Sequence, residues 1–150
     1  MKPEAIRKYF DGLVASLGQA ARLDFVEFPG SHPHQCHKNV DAYTAHHDGH
    51  RPVRGWLVTP TPGVHMFHAH SVVKQPSGRL IDVTPGEEHR TGLLFLEHPG
   101  TAADYMFLSV HCAQWFHPLP DTLLSDRRHS WDDRHSANFN DSLLSRPGLW

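Results

Sequence analysis

The sequence predicts an α+β fold with an N-terminal helix, a second helix that bears Cys36, and an antiparallel β-sheet of about four to five strands. Three observations predict this fold class. Apolar residues recur at helical spacing near the N-terminus, β-branched and aromatic runs fill much of residues 53–83, and Pro, Ser and Gly separate those runs. Residues 1–120 are expected to form one domain, with residues 121–150 as a polar C-terminal tail packed on it.

Length and composition limit the function classes. The chain has 150 residues, of which 39% are hydrophobic and 20% charged, an ordinary composition for a folded domain. A formal net charge of -2 gives no electrostatic case for nucleic acid or an anionic membrane as partner. Two cysteines are too few for a disulfide framework. With no signal-peptide pattern and no membrane-spanning apolar run, we expect a cytoplasmic protein with reduced thiols.

The first two elements are expected to be scaffold. Residues 3–18 predict an amphipathic helix, because Pro3 suits the first turn and Gly18 suits the end. Its apolar positions recur at helical spacing and are Ile6, Tyr9, Phe10, Leu13, Val14 and Leu17. Residues 23–28 alternate apolar and polar side chains and therefore predict a short strand.

The stretch that follows a loop rich in Pro, Gly and His predicts a helix with Cys36 in its first turn. Val40, Tyr43 and His47 fall on one face of this helix, and Gly49 suits its end. A helix N-terminus favours a nearby negative charge and lowers the pKa of a thiol. Cys36 is therefore either an activated nucleophile or a buried, unreactive thiol.

Residues 67–85 predict a β-hairpin, since two apolar runs flank a turn that contains Pro, Ser and Gly. If Val73 pairs with Arg79, His70 lies directly opposite Asp82, with Cβ atoms about 5 Å apart. A carboxylate in that position holds one imidazole nitrogen and fixes which nitrogen bears the proton. A register slip of one residue would put the two side chains on opposite faces.

Further strands are expected on either side of this hairpin. Residues 53–59 and 64–73 predict antiparallel neighbours, which with the second hairpin strand make a three-stranded meander. Residues 93–97 predict one more short strand.

Residues 101–116 are apolar and predict either a buried helix or a long strand, since periodicity does not separate the two. Thr101 with Asp104 three residues later is typical of a helix start. Cys112 lies inside this apolar run and is expected to belong to the core.

The residue types at these positions point first to nucleophilic catalysis. A thiolate on Cys36 would attack a carbonyl carbon, His70 would act as general base and acid, and Asp82 would orient the imidazole. Backbone N–H groups at the start of the Cys36 helix would stabilise the oxyanion. The accessory residues expected near the site are His68, His37, Asn39 and Trp56.

The order of these residues resembles the transglutaminase-like branch of the papain-like cysteine enzymes. There, too, a Cys on a helix precedes a His on a strand and an Asp on the next strand, and here the match is Cys36, His70 and the Asp-Val-Thr-Pro segment 82–85. The resemblance covers residues 36–85. It implies a cysteine hydrolase or acyltransferase acting on an amide, ester or isopeptide bond of a peptide, protein or small acyl substrate, without a cofactor.

Two alternatives remain open. His68 and His70 share one face of a strand, and together with Cys36 and Asp82 they have the ligand types that zinc accepts. Three protein ligands plus water would make a hydrolytic zinc site, and four would make a structural one. In the second alternative the protein is a non-enzymatic binding domain, Asp82 caps the turn at Thr84, and Cys36 is buried and unreactive.

Overall fold

The computed structural model describes residues 1–61, 63–86 and 93–118. Within these residues the fold is α+β, as the sequence predicts, with three α-helices and one seven-stranded sheet. The sheet has more strands than the four or five expected, because two further segments, Ala21–Arg22 and Gln114–His117, also pair. The predicted tail, residues 121–150, lies outside the described residues.

The helices begin close to their predicted positions. Helix α1 spans Pro3–Ala15 and is followed by a 3₁₀ turn at Leu17–Gln19, so it ends before the predicted stop at residue 18. Helix α2 spans Cys36–Ala45, and helix α3 spans Ala102–His111. None of the helices in the described ranges has both the length and the apolar character needed to cross a membrane.

The sheet combines one long hairpin with short edge strands. Its strands are β1 (Ala21–Arg22), β2 (Asp24–Phe25), β3 (Arg51–Thr61), β4 (Val64–Lys74), β5 (Leu80–Asp82), β6 (Leu94–Glu97) and β7 (Gln114–His117). Their order is β1-β6-β3-β4-β5-β2, with β7 also paired to β4. The meander β3-β4-β5 is antiparallel as predicted, whereas β2 runs parallel to β5, so the sheet is mixed.

The two edges of the sheet come from adjacent residues of the chain. Strands β1 and β2 lie at opposite ends of the strand order, yet only Leu23 separates them. The strand predicted at 23–28 is shorter than expected and is β2, while β1 precedes the predicted range. The sheet curls until it is nearly barrel-shaped. Leu23 is buried inside this curve with four other apolar residues, Val53, Leu57, Val72 and Phe95.

The three helices cover the outer side of the sheet. Helices α1 and α3 pack over a cluster that includes Phe10, Trp56, Phe67, Tyr105, Leu108 and Trp115. Helix α2 packs over Val40, Tyr43, Val73, Ile81 and Val83. Full burial of each such side chain contributes about 1.5–3 kcal/mol, so these two clusters hold α3 against β3 and α2 against β4.

The apolar run 101–116 contains both structures that its periodicity left open. The first part is α3 and the last four residues are β7. Thr101 and Asp104 form the expected capping box, in which each side chain bonds the other residue's backbone N–H. Cys112 is 2% exposed and belongs to the core, as predicted.

The predicted hairpin is present, but its register is shifted by two residues. Val73 pairs with Ile81 and Lys74 with Leu80. The predicted pairing of Val73 with Arg79 is therefore wrong, and so is the predicted position of His70 directly opposite Asp82. The turn fixes this register, because Gly78 adopts a left-handed φ of 88° and the Gln75 N–H bonds the Arg79 carbonyl. Because side chains alternate with a period of two, an even shift leaves each of them on its expected face.

Candidate active site

One edge of β4 has a gap at residues 70–72. β3 pairs with β4 along its whole length, so β5 and β7 must share the other edge. β7 covers residues 65–68 and β5 covers residues 73–74. Among the described residues, no strand pairs with that edge between them. The Ser71 N–H points toward the gap, because the Ala69 N–H two residues earlier bonds a carbonyl on the β7 side.

The first residue of α2 fills this gap. Cys36 begins the helix, as predicted, and is 5% exposed. The Ser71 N–H and the His70 imidazole both hydrogen bond the Cys36 sulfur. The broken strand pairing and the helix start together explain why a thiol, rather than a backbone carbonyl, meets this N–H.

Asp82 holds the other side of the His70 ring. His70 Nε2 and Asp82 Oδ2 are 2.9 Å apart, and both residues are buried. The second carboxylate oxygen accepts the Thr84 N–H at 2.9 Å. Asp82 therefore caps the turn and binds the histidine at once. Since Nε2 bonds the carboxylate, Nδ1 is the nitrogen left for the thiol.

Contacts among Cys36, His70 and Asp82 shift the pKa values of the thiol and the imidazole. Burial raises the pKa of the Cys36 thiol, but the hydrogen bond and charge of His70 and the Ser71 N–H outweigh burial, so the pKa lies below its ordinary value. Burial lowers the pKa of His70, but the bonds to Asp82 and Cys36 outweigh it and raise the pKa to about 9. Both directions favour a Cys36 thiolate beside a His70 imidazolium over the neutral pair.

A second hydrogen-bonded group lies on the outer side of β4. The Tyr105 hydroxyl donates to the His70 carbonyl at 3.1 Å, and the Ser71 hydroxyl bonds Tyr105. His37 Nδ1 bonds the same Ser71 oxygen. Because Tyr105 uses its proton on the carbonyl, Ser71 must donate to Tyr105. His37 therefore donates from Nδ1.

The outer histidine is held neutral. Burial and the positive charges of Arg54 and His70 lower the pKa of His37 to about 4. Arg54 lies directly across the sheet from Ser71 and bonds Asp41 of α2 at 2.8 Å. His37 was predicted as an accessory residue, and the structure places it next to Cys36 with its ring against Tyr105, at a centroid distance of 6.0 Å.

Asn39 connects α2 to the segments on either side of the site. Its side chain accepts the His32 N–H at 3.0 Å and donates to the His32 carbonyl at 2.7 Å. It also donates to the Thr84 hydroxyl at 3.2 Å, beside the turn that Asp82 caps. Asn39 therefore holds the preceding loop and the Asp82 turn together.

The other two accessory residues lie further away. His68 is on the same side of β4 as His70, one alternation step toward β7, where its pairing partner is Gln114. Trp56 is fully buried, and its indole N–H donates to the Tyr9 hydroxyl at 2.6 Å. Trp56 is thus a core residue under α1.

The described ranges 1–61, 63–86 and 93–118 contain no group of three or more His, Cys, Asp and Glu side chains arranged to hold a metal ion. Instead, Cys36 is hydrogen bonded to His70, and His70 is hydrogen bonded to Asp82. Their donor atoms are of types that zinc accepts.

No protein-family model matches the chain, and neither a curated protein nor a solved structure matches it at a significant level.

Three residues beside Cys36 were missed from the sequence: Arg54, Ser71 and Tyr105. A signal was present for Arg54, because alternation along β3 puts it on the same face as Trp56 and Val58, which are buried. A charge in a buried alternation series needs a partner and is often part of a site. No comparable signal marks Ser71 or Tyr105, since each has an ordinary residue type for its element.

Proposed function

We propose that this chain is a cysteine hydrolase or acyltransferase that acts on an amide, ester or isopeptide bond. The observation that supports the proposal is the continuous hydrogen-bonded path from the Cys36 thiol through the His70 imidazole to the Asp82 carboxylate. Each member has the environment its task requires: a thiol of lowered pKa, an imidazole of raised pKa and a buried carboxylate fixed by a backbone N–H.

The mechanism follows from these positions. The Cys36 thiolate attacks the carbonyl carbon, and the carbonyl oxygen becomes an oxyanion near the N–H groups that begin α2. His70 gives its proton to the leaving amine or alcohol, which departs and leaves a thioester. Water or an amine then loses a proton to His70 and attacks the thioester. The acid or the transferred amide is released, and the thiolate and imidazolium re-form.

Within this proposal the chain is similar to the transglutaminase-like branch of the papain-like enzymes. The supporting features are a Cys at a helix start, a His on the central strand and an Asp on the next strand, with Asp82 bonded to the N–H of Thr84 in the segment that resembles the family. Peptides, proteins and small acyl compounds are the substrate classes to test.

The pH dependence of Cys36 alkylation tests the proposal. We expect iodoacetamide to label Cys36 rapidly at pH 6, with or without a chelator, because the thiolate already forms below its ordinary pKa. Cys112 is the internal control in the same molecule, since it is buried in the core. Site-resolved mass spectrometry measures both thiols.

Two other results would reject the proposal in different ways. Labelling that appears only after chelation would mean that a metal holds Cys36, in favour of a zinc site with His68, His70 and Asp82. Slow labelling that rises only above about pH 8, as for an ordinary thiol, would favour a binding domain without a nucleophile.

Covalent chemistry is tested with p-nitrophenyl acetate. The proposal predicts an acetyl thioester on Cys36 that accumulates and then hydrolyses, seen as a burst of nitrophenolate and as an acetylated peptide. His70→Gln should abolish the adduct, whereas His50→Gln, which changes a histidine beyond the other end of α2, should not. An adduct that forms equally in both variants would rule out His70 as the base.

A further inference from the structure

Arg54 has a buried nitrogen that is not hydrogen bonded. Its Nη2 atom reaches Asp41, but Nη1 is inaccessible to solvent and has no hydrogen-bond partner among the described residues. A buried polar group without a partner costs roughly 1–3 kcal/mol, and more when it is charged. Such a group in a folded protein points to an acceptor that the described residues do not supply.

Arg54 lies beside a residue that contacts the nucleophile. Arg54 pairs directly with Ser71, so their Cβ atoms are about 5 Å apart. The Ser71 N–H bonds the Cys36 sulfur. In addition, the charges of Arg54 and Cys36 both shift the pKa of Tyr105, which places both within electrostatic range of one hydroxyl.

The present partner of Arg54 is easily replaced. The Asp41 side chain is 59% exposed and the Arg54 side chain 28%. The Asp41 end of the ion pair is therefore open to solvent. Such pairs contribute about 0–1 kcal/mol. Asp41 offers one oxygen to one guanidinium nitrogen, whereas an arginine fork can bind both oxygens of a carboxylate with two nitrogens.

We propose that Arg54 is a carboxylate-binding subsite of this active site, and that the substrate bears a carboxylate close to the carbonyl that Cys36 attacks. The carboxylate displaces Asp41 and bonds both terminal nitrogens of Arg54, including the one that is unpaired here. The substrate assignment depends on the proposed function, while the binding of an anion beside Cys36 does not.

Two alkylating reagents of nearly equal size test this subsite. Iodoacetate has a carboxylate next to the carbon that the thiolate attacks, and iodoacetamide has a neutral amide in its place. The measured quantity is the ratio of their rates at Cys36. Both reagents react with the same thiolate, so a change in the pKa of Cys36 cancels in this ratio.

We expect Arg54→Gln to lower the iodoacetate-to-iodoacetamide ratio roughly ten-fold, since a hydrogen bond to a charged group is lost. Arg54→Lys should keep part of the ratio. Asp41→Asn should raise it, because the competing carboxylate is removed. Arg51→Gln is the matched control: it removes an equal charge from an exposed position on the same strand and should leave the ratio unchanged.

An unchanged ratio in Arg54→Gln, or an equal fall in Arg51→Gln, would overturn the subsite. Thermal unfolding of each variant shows that it is folded. The proposed function fails by a different result, the ordinary pH profile of iodoacetamide alone. The ratio is still measurable at pH 9 on an unactivated thiol, so either proposal can fail without the other.

Discussion

Two histidines on opposite sides of β4 have pKa values shifted in opposite directions. On the inner side, His70 contacts the Asp82 carboxylate and the Cys36 thiol, and its pKa rises to about 9. On the outer side, His37 bonds a serine hydroxyl close to Arg54, and its pKa falls to about 4. Burial lowers both pKa values, so burial alone does not explain the difference. The charge of the nearest partner decides which histidine is charged.

This difference gives the two histidines opposite effects on stability. The raised pKa of His70 stabilises the fold fully below its ordinary pKa of about 6.5, and this contribution is lost as pH rises through about 9. The lowered pKa of His37 stabilises the fold above pH 6.5, and this contribution is lost as pH falls toward about 4. The site thus has one charged and one neutral imidazole near neutral pH.

Asp82→Asn should remove the contrast between the two sides and has the largest expected effect. The amide keeps an oxygen for the Thr84 N–H but loses the charge that raises the pKa of His70. The charge of Asp82 by itself raises the pKa of Cys36, but the loss of the protonated His70 outweighs its removal. We therefore expect the pKa of Cys36 to rise and its iodoacetamide labelling at pH 6 to slow about ten- to hundred-fold.

Asp24→Asn is the matched control, because it neutralises an exposed carboxylate that pairs with Arg79 on the surface. Labelling rates that stay equal in the Asp82 variant and in this control would show that the carboxylate does not set the reactivity of Cys36.

His37→Asn tests whether the histidine on the outer side of β4 is held neutral. The asparagine amide can replace the Nδ1 contact to Ser71 but has no proton to gain in acid. We expect the loss in unfolding free energy between pH 7 and pH 4.5 to be smaller in the variant by about 1–2 kcal/mol, after allowance for the partial exposure of His37. Urea unfolding at the two pH values measures it, with His50→Asn as the control. A variant whose acid sensitivity matches that of the natural sequence would show that His37 is not held neutral.

Tyr105→Phe has the smallest expected effect. It removes one hydroxyl that bonds the His70 carbonyl, at a cost of about 0.5–1.5 kcal/mol in unfolding free energy. The thiol and both site histidines keep their direct partners, so Cys36 labelling should change by less than roughly three-fold. Tyr9→Phe, which removes a hydroxyl bonded to Trp56 and His98 and not to the His70 carbonyl, provides the comparison. A loss of Cys36 reactivity as large as that of the Asp82 variant would show that the Tyr105 hydroxyl is needed to position His70.

The sequence correctly placed His70 and Asp82 on the same face of the sheet, because side chains alternate with a period of two, but it did not predict the exact register. The predicted pairing was wrong by two residues, yet an even shift preserves the face of every side chain, and the two side chains do bond. The helix start at Cys36 was also predictable, because its signals lie within a few residues of each other.

The remainder of the site could not be predicted from local patterns. Arg54, Ser71 and Tyr105 are far apart in the chain and meet only because β3 pairs with β4 and α3 packs over both. The choice between helix and strand in residues 101–116 depended on how the chain folds back to place β7 against β4. Periodicity has no information about such long-range pairing.

The sequence by itself determined the α+β class, the start of the Cys36 helix and the shared face of His70 and Asp82, because these depend on periods of two and 3.6 residues and on local capping and turn residues. The tertiary structure decided that β5 and β7 leave a gap in the edge of β4, and that Cys36 fills it. Only the packed fold brings the Ser71 N–H, the imidazole and the thiol to one point, since that meeting depends on the packing of α2 and the pairing of β7 with β4, which no local pattern specifies.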